Sequence, residues 1–205
     1  MMFADRMEAG RILAKDLGHL AGQNPLVLAL PRGGVPVAAE IASALGAELD
    51  VIAVRKLGVP GQPELAMGAI GENGTLILNR DVIDHLRITA DDIDHVRRQE
   101  EIELARRAQR WRRHGPRSRR GRLAVIVDDG MATGATAEAA CRVAAAEGAA
   151  GIVLAVPVAS PDAVARIQPL VNEVRCRVDS HLDGVGAAYG DFHQLTDDEV
   201  TALLL

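Results

Sequence analysis

The chain has 205 residues, 48% of them hydrophobic and 25% charged, with a net charge of −5. That suffices for one globular domain with its own core. It excludes a membrane span, because apolar runs stay short of roughly 18 residues, and two cysteines, Cys141 and Cys176, exclude a disulfide scaffold. The first residues mix charges without an apolar segment, so the expectation is a cytoplasmic protein with no signal peptide and no membrane partner.

Residues 26–30 read as a buried strand, followed by Pro31-Arg32-Gly33-Gly34 and a helix over 35–45 that Gly46 stops. Residues 50–54 read as a second strand. Residues 57–65 are rich in Gly and Pro, which excludes a helix or a central strand. The segments 66–70 and 75–79 flank Gly71-Glu72-Asn73-Gly74, a β-hairpin with an Asn-Gly turn. A long polar helix follows over 91–113, capped by Thr89 or Asp91. Residues 123–127 form a third strand that leads to a helix over 136–147, stopped by Gly148. Residues 151–156 form a fourth strand, a short helix starts at Pro161, and residues 174–178 form a fifth strand. Thr196-Asp197-Asp198-Glu199 is a capping box that opens a last helix. Short Val- and Ile-rich runs separated by helices predict an α/β core of three layers with a mostly parallel sheet.

Charge is unevenly spread. Between Arg97 and Arg122 lie eleven arginines and three glutamates, a local excess of +8 against −13 in the remainder. Such a belt is either a nucleic-acid footprint or a solvated helix face. Only Trp111 interleaves an aromatic ring, which favours the solvated face. The chain has four aromatic residues, Phe3, Trp111, Tyr189 and Phe192, too few for base stacking on single strands. Lysine occurs twice, at Lys15 and Lys56.

Chemistry concentrates in Val125-Ile126-Val127-Asp128-Asp129-Gly130-Met131-Ala132-Thr133-Gly134-Ala135-Thr136. An apolar strand ends in two carboxylates, a small-residue loop follows, and a helix begins. The loop can present backbone N–H groups at a helix N-terminus, which is an anion site. Thr133 and Thr136 add hydroxyls, and Gly130 and Gly134 permit close approach of a ligand. Two carboxylates beside a phosphate cradle repel the phosphate unless they face sugar hydroxyls or a magnesium ion. No Gly-Lys-Ser/Thr or Gly-x-Gly-x-x-Gly occurs, which argues against an NTPase P-loop or a dinucleotide fold. The acid pair alone also suits a receiver-like or haloacid-dehalogenase-like magnesium site. The first wants another acidic cluster, and the second wants Asp-x-Asp.

Residues 125–136 resemble the phosphoribosyl-pyrophosphate (PRPP) signature of type I phosphoribosyltransferases. Residues 26–34, 55–71 and 155–160 extend the resemblance to the bacterial group of predicted phosphoribosyltransferases. The resemblance implies a Rossmann-like core (residues 20–88 and 121–178) with a β-hairpin lid loop. A helical insertion (89–120) and a small C-terminal hood (179–205) complete the single domain. It implies that Asp128 and Asp129 hold the ribose hydroxyls and a Mg²⁺ ion, and that Gly130, Met131, Ala132, Thr133, Gly134, Ala135 and Thr136 bind the 5-phosphate. Arg32, Gly33 and Gly34, with a strained or cis peptide near Arg32-Gly33, would bind pyrophosphate together with Arg55 and Lys56. Arg32 and Lys56 would then act in catalysis beside the acid pair. Gly58, Pro60, Gly61 and Pro63 fit a mobile lid, and Glu64 within it is a candidate metal or acceptor contact. The implied reaction joins PRPP to a small nitrogenous acceptor. Tyr189 or Phe192 is the candidate for stacking on it. In 6-oxopurine members the position of Ala132 is an aspartate that contacts the base, so alanine here argues against those bases. Members of this fold often form homodimers. A PRPP-sensing regulator that uses the arginine belt for nucleic acid is the alternative. The belt lies on one insertion and no helix-turn-helix is attached, so the enzyme is favoured.

Overall fold

In the computed structural model, residues 2–111, 115–179 and 184–204 are described, apart from the side chains of Glu64 and Asp179. Helix α1 (Arg6–Asp16) starts where the Asp5 carboxylate accepts the Glu8 N–H at 2.7 Å, while Glu8 accepts the Ala4 N–H. Sequence reading overlooked this helix, although Asp-x-x-Glu is a cap signature. Strand β1 (Leu26–Ala29) and helix α2 (Gly34–Leu45) follow as expected, and Gly46 ends α2 in the left-handed conformation, φ 59°.

The stretch expected as one second strand is divided. Strand β2 (Glu48–Val51) pairs in parallel with β1, and Val54 already opens β3 (Val54–Val59) of a second, antiparallel sheet with β4 (Gln62–Gly71) and β5 (Leu76–Leu78). Residues 57–65, expected to be neither helix nor central strand, thus form the ends of β3 and β4. Val59 faces Gln62 across Pro60-Gly61, with Gly61 at φ 77°. Proline followed by a glycine at positive φ is the signature of a tight turn, and that signal was present in the sequence. Gly58 lets the strands approach, since a Cβ there would lie 2.7 Å from the Pro63 carbonyl oxygen. Pro63 is tolerated because β5 pairs only with residues 68–70, which leaves this part of β4 an edge.

Helix α3 (Arg80–Leu86), not expected, is capped by Asn79, whose side chain accepts the Val82 N–H. Helix α4 (Ala90–Trp111) is capped by Thr89 in a reciprocal box with Asp92. Leu104 of α4 and Ile83 of α3 bury against Leu57, Val59, Met67 and Ile70, so the antiparallel sheet has a core of its own.

Strand β6 (Leu123–Val127), helix α5 (Ala135–Ala146), strand β7 (Gly151–Ala159), helix α6 (Pro161–Ile167) and strand β8 (Glu173–Asp179) complete the main sheet. The capping box at Thr196 opens helix α7 (Asp197–Leu203). The main sheet is wholly parallel with order β2-β1-β6-β7-β8. Strand alternation divides its side chains between two faces. Val27, Ala29, Val125, Val127 and Val153 pack against α1, α2 and α7, while Leu26, Leu28, Ile126, Ile152 and Leu154 pack against α5 and α6. This is the expected three-layer architecture. No described helix is long and apolar enough to cross a membrane.

The arginine belt is largely spent on internal pairs. Arg97 holds Asp94 and Glu101, Arg106 and Arg107 share Glu103, Arg110 holds Asp197, and Arg117 and Arg122 share Glu48. Arg112 and Arg113 lie outside the described residues.

Candidate functional site

The connections from β1 and β6 leave in opposite directions, β1 leading outward to β2 and β6 to β7. In open parallel sheets, ligands bind beyond the carboxyl ends of the strands at such a switch point. Both sequence motifs fall there. Residues 30–34 leave β1, residues 128–134 leave β6, and the Leu30 N–H donates to the Val127 carbonyl at 2.8 Å.

The two loops touch through glycine. A Cβ on Gly33 would lie 2.0 Å from Asp129 Oδ2, and one on Gly34 would lie 2.5 Å from the Val127 carbonyl oxygen. Close approach explains both glycines, since Gly33 has φ −59° and Gly34 is not at positive φ. A cis peptide joins Pro31 to Arg32, one bond before the place expected.

Asp128 Oδ1 accepts the Asp129 N–H at 2.9 Å. Removal from water, together with the adjacent Asp129 charge, holds the Asp128 carboxyl well above the usual carboxylate range. Asp129 Oδ2 accepts Arg6 Nε at 2.8 Å, and Tyr189 Oη donates to the Asp129 carbonyl at 2.6 Å. Arg6 was not foreseen. Its partner stands 123 residues away, and no local pattern marks it.

After the acids, Gly130 passes Val158 and Val185 with no room for a side chain. The loop is then pinned to β7. The Met131 N–H donates to the Val158 carbonyl at 2.9 Å, and Ser160 Oγ donates to the Ala132 carbonyl at 2.7 Å. Gly134 turns into α5 at φ 74°. The amides of Ala132, Thr133, Gly134 and Thr136 find no hydrogen-bond acceptor among the described residues, and that of Ala135 makes only a long bond to Thr133 Oγ1, 3.4 Å. Ala132, Thr133 and Thr136 are exposed. Free amides at the first turn of a twelve-residue helix form a seat for an anion.

The remaining candidates are more dispersed. Arg32 reaches toward Asp197 on α7, with Nη1 4.0 Å from Oδ1. Arg55 and Lys56 are neighbours on β3 and therefore project to opposite faces. Arg55 donates to Glu100 of α4 at 2.5 Å, whereas Lys56 lines a cleft of about 710 Å³ with Gly68, Ala69, Ala135, Glu138 and Arg142. Lys56 and the start of α5 thus share one space, and Arg55 belongs to the other side. Tyr189 is buried, in ring contact with Phe3 at 5.6 Å and Phe192 at 5.0 Å, and acts as a packing residue. Phe192 keeps about a third of its surface open and lies against the Arg6 guanidinium, 3.9 Å from ring centroid to Cζ. Cys141 is buried, which pushes its thiol up to about 12 and leaves no nucleophile there.

Among the described residues, no three His, Cys, Asp or Glu side chains gather into a metal cage. Asp128 Oδ2 and Asp129 Oδ1 accept no hydrogen bond from a described residue outside the acid pair, whose two carboxyls interact with each other. Two hard oxygens of this kind fit a magnesium ion that draws its other ligands from substrate and water.

A family model described as a phosphoribosyl transferase domain matches residues 4–189. Two Mycobacterium tuberculosis proteins, from strains H37Rv and CDC 1551, carry provisional phosphoribosyl transferase names. Each is 55% identical over 205 residues, covering 99% of this chain and 46% of the relative. The chain therefore spans about half the length of these curated relatives. A crystal structure from Thermus thermophilus superposes with a TM-score of 0.92 at 45% identity, over 100% of this chain and 98% of that one. A structure from Aquifex aeolicus shares the fold, with a TM-score of 0.51 at 14% identity over 88% of this chain and 78% of the other.

Proposed function

Because the chain belongs to the phosphoribosyl transferase domain family, we propose that it transfers the 5-phosphoribosyl group from PRPP to a nitrogenous acceptor and releases pyrophosphate. The observation that carries this reading is the continuous run of acid pair, pinned loop and open amides at the switch point. In it, the amides of residues 132–136 and the hydroxyls of Thr133 and Thr136 donate to the 5-phosphate. Asp128 Oδ2 and Asp129 Oδ1 accept hydrogen bonds from the ribose hydroxyls.

The bond from ribose C1 to the pyrophosphate oxygen breaks, and its electron pair leaves on pyrophosphate. The acceptor nitrogen lone pair forms the new bond to C1, and the acceptor proton passes to solvent. Positive charge grows on the ribose ring beside Asp129. Negative charge grows on the leaving group, for which Lys56 and the loop at Arg32 supply cations. Fixed donors of this kind are worth about 3–4 kcal/mol each in enzymes generally. When bound, magnesium screens the phosphate charge at the acid pair. The exposed Ala132 side chain offers no hydrogen bond to a base, which points away from 6-oxopurine acceptors.

Incubation with PRPP, magnesium and a panel of bases and small amines tests the proposal through release of pyrophosphate. Release that needs both magnesium and one class of acceptor is the expected result. Tight PRPP binding with no release across the panel would instead identify a sensor of PRPP.

A further inference from the structure

Asp128 is fixed by its own neighbour, but Asp129 is fixed from outside. Arg6 donates from Nε to Asp129 Oδ2 at 2.8 Å and from Nη1 to the His193 carbonyl at 3.0 Å. Arg6 is only 7% exposed, and its guanidinium lies against the Phe192 ring. The segment that carries it is itself tied down. Gly190 and Asp191 donate their N–H groups to the carbonyls of Phe3 and Ala4, both at 2.8 Å, and Phe3 packs on Tyr189. On the opposite side, Gly33 closes against the same carboxylate. Asp129 therefore has Oδ2 committed to Arg6, and Oδ1 takes no hydrogen bond from a described residue outside the acid pair.

Resting on the phosphoribosyltransferase reading above, we propose that Arg6 is a positioning residue: it holds Asp129 so that Oδ1 meets the ribose hydroxyls, and its charge offsets the acid pair beside the 5-phosphate seat. Two neighbouring carboxylates would otherwise repel the 5-phosphate that the adjacent loop attracts. A guanidinium held by three contacts supplies the countercharge without occupying the amide seat. The device acts on the sugar and leaves recognition of free pyrophosphate untouched.

Titration calorimetry of the full chain with magnesium, using PRPP and inorganic pyrophosphate in separate runs, tests this. Arg6→Gln keeps a hydrogen-bonding side chain and removes the charge. It is expected to weaken PRPP at least about tenfold, the loss of one charge-assisted contact, and to change pyrophosphate affinity less than about twofold. Arg6→Lys, which restores the charge, is expected to recover part of the PRPP affinity, and thermal melts confirm that both variants are folded. Equal losses for the two ligands would mean that Arg6 merely supports the fold around the site, and no loss for either would remove its role; both results overturn the inference. Wild-type protein that binds no PRPP would overturn the phosphoribosyltransferase reading first, which separates the two failures.

Discussion

Arg119→Ala is expected to cost about 3–5 kcal/mol of stability, the range for removing one partner from a buried ion pair. For a chain of this size that corresponds to a fall in Tm of roughly 6–20 °C. Arg119 is 1% exposed in its side chain and pairs with Glu72, 6% exposed, and Glu147, 11% exposed. Glu147 also accepts Asn73 Nδ2 at 3.1 Å and Thr75 Oγ1 at 3.2 Å. One arginine thus ties the β4–β5 turn to the end of α5. Without it, the Glu72 and Glu147 carboxylates lose the buried guanidinium that they share. Arg119 Nε is itself buried with no hydrogen bond among the described residues, so the cluster is not fully satisfied. Replacing all three charges at once, with Arg119→Met, Glu72→Gln and Glu147→Gln, is expected to recover most of the loss, because the cost lies in buried carboxylates that lose a shared cation. Thermal denaturation of both proteins distinguishes this from a simple loss of packing, in which the triple variant would melt no higher than the single one.

The second large effect falls on binding. Asp128→Asn combined with Asp129→Asn is expected to weaken PRPP by roughly 2–4.5 kcal/mol, about thirtyfold or more, since a charge-assisted acceptor is lost at Asp129 and a second acceptor at Asp128. The fold should survive, as measured by an intact cooperative melt. Asp129 is the anion paired with buried Arg6, so the melt is expected at a lower temperature, but the amide oxygens introduced at positions 128 and 129 can still accept the N–H of residue 129 and Arg6 Nε. Burial and the adjacent Asp129 charge already disfavour an ionised Asp128, so an uncharged side chain suits that position. A pair variant that binds PRPP as the wild type does would remove the acid pair from the site.

The parallel sheet could be read from the sequence because its strands are short runs such as Val125-Ile126-Val127 that bury both faces, and helices capped by Thr196 or stopped by Gly46 announce themselves within four residues. The loop at residues 128–136 was equally readable, since acids, glycines and threonines sit together in chain order. The antiparallel sheet was only half read. The Gly/Pro content of residues 57–65 marked irregular backbone and obscured the Pro60-Gly61 turn that joins two strands. Arg55 and Lys56 look equivalent as a dipeptide, yet strand alternation sends one to Glu100 and the other to the cleft beside α5. Tyr189 or Phe192 is the candidate for stacking on an acceptor. Tyr189 is buried and braces the backbone of Asp129, whereas Phe192 lies against Arg6 with about a third of its surface open. Arg6 itself had no local signature, because its role depends on the two ends of the matched segment meeting beside Asp129.

A crystal structure of the chain grown with PRPP and magnesium tests the central claim most directly. The expected density places the 5-phosphate on the amides of residues 132–136 and the ribose hydroxyls at Asp128 and Asp129. PRPP seated elsewhere, for instance only in the cleft at Lys56, with those amides turned inward onto protein acceptors, would contradict it.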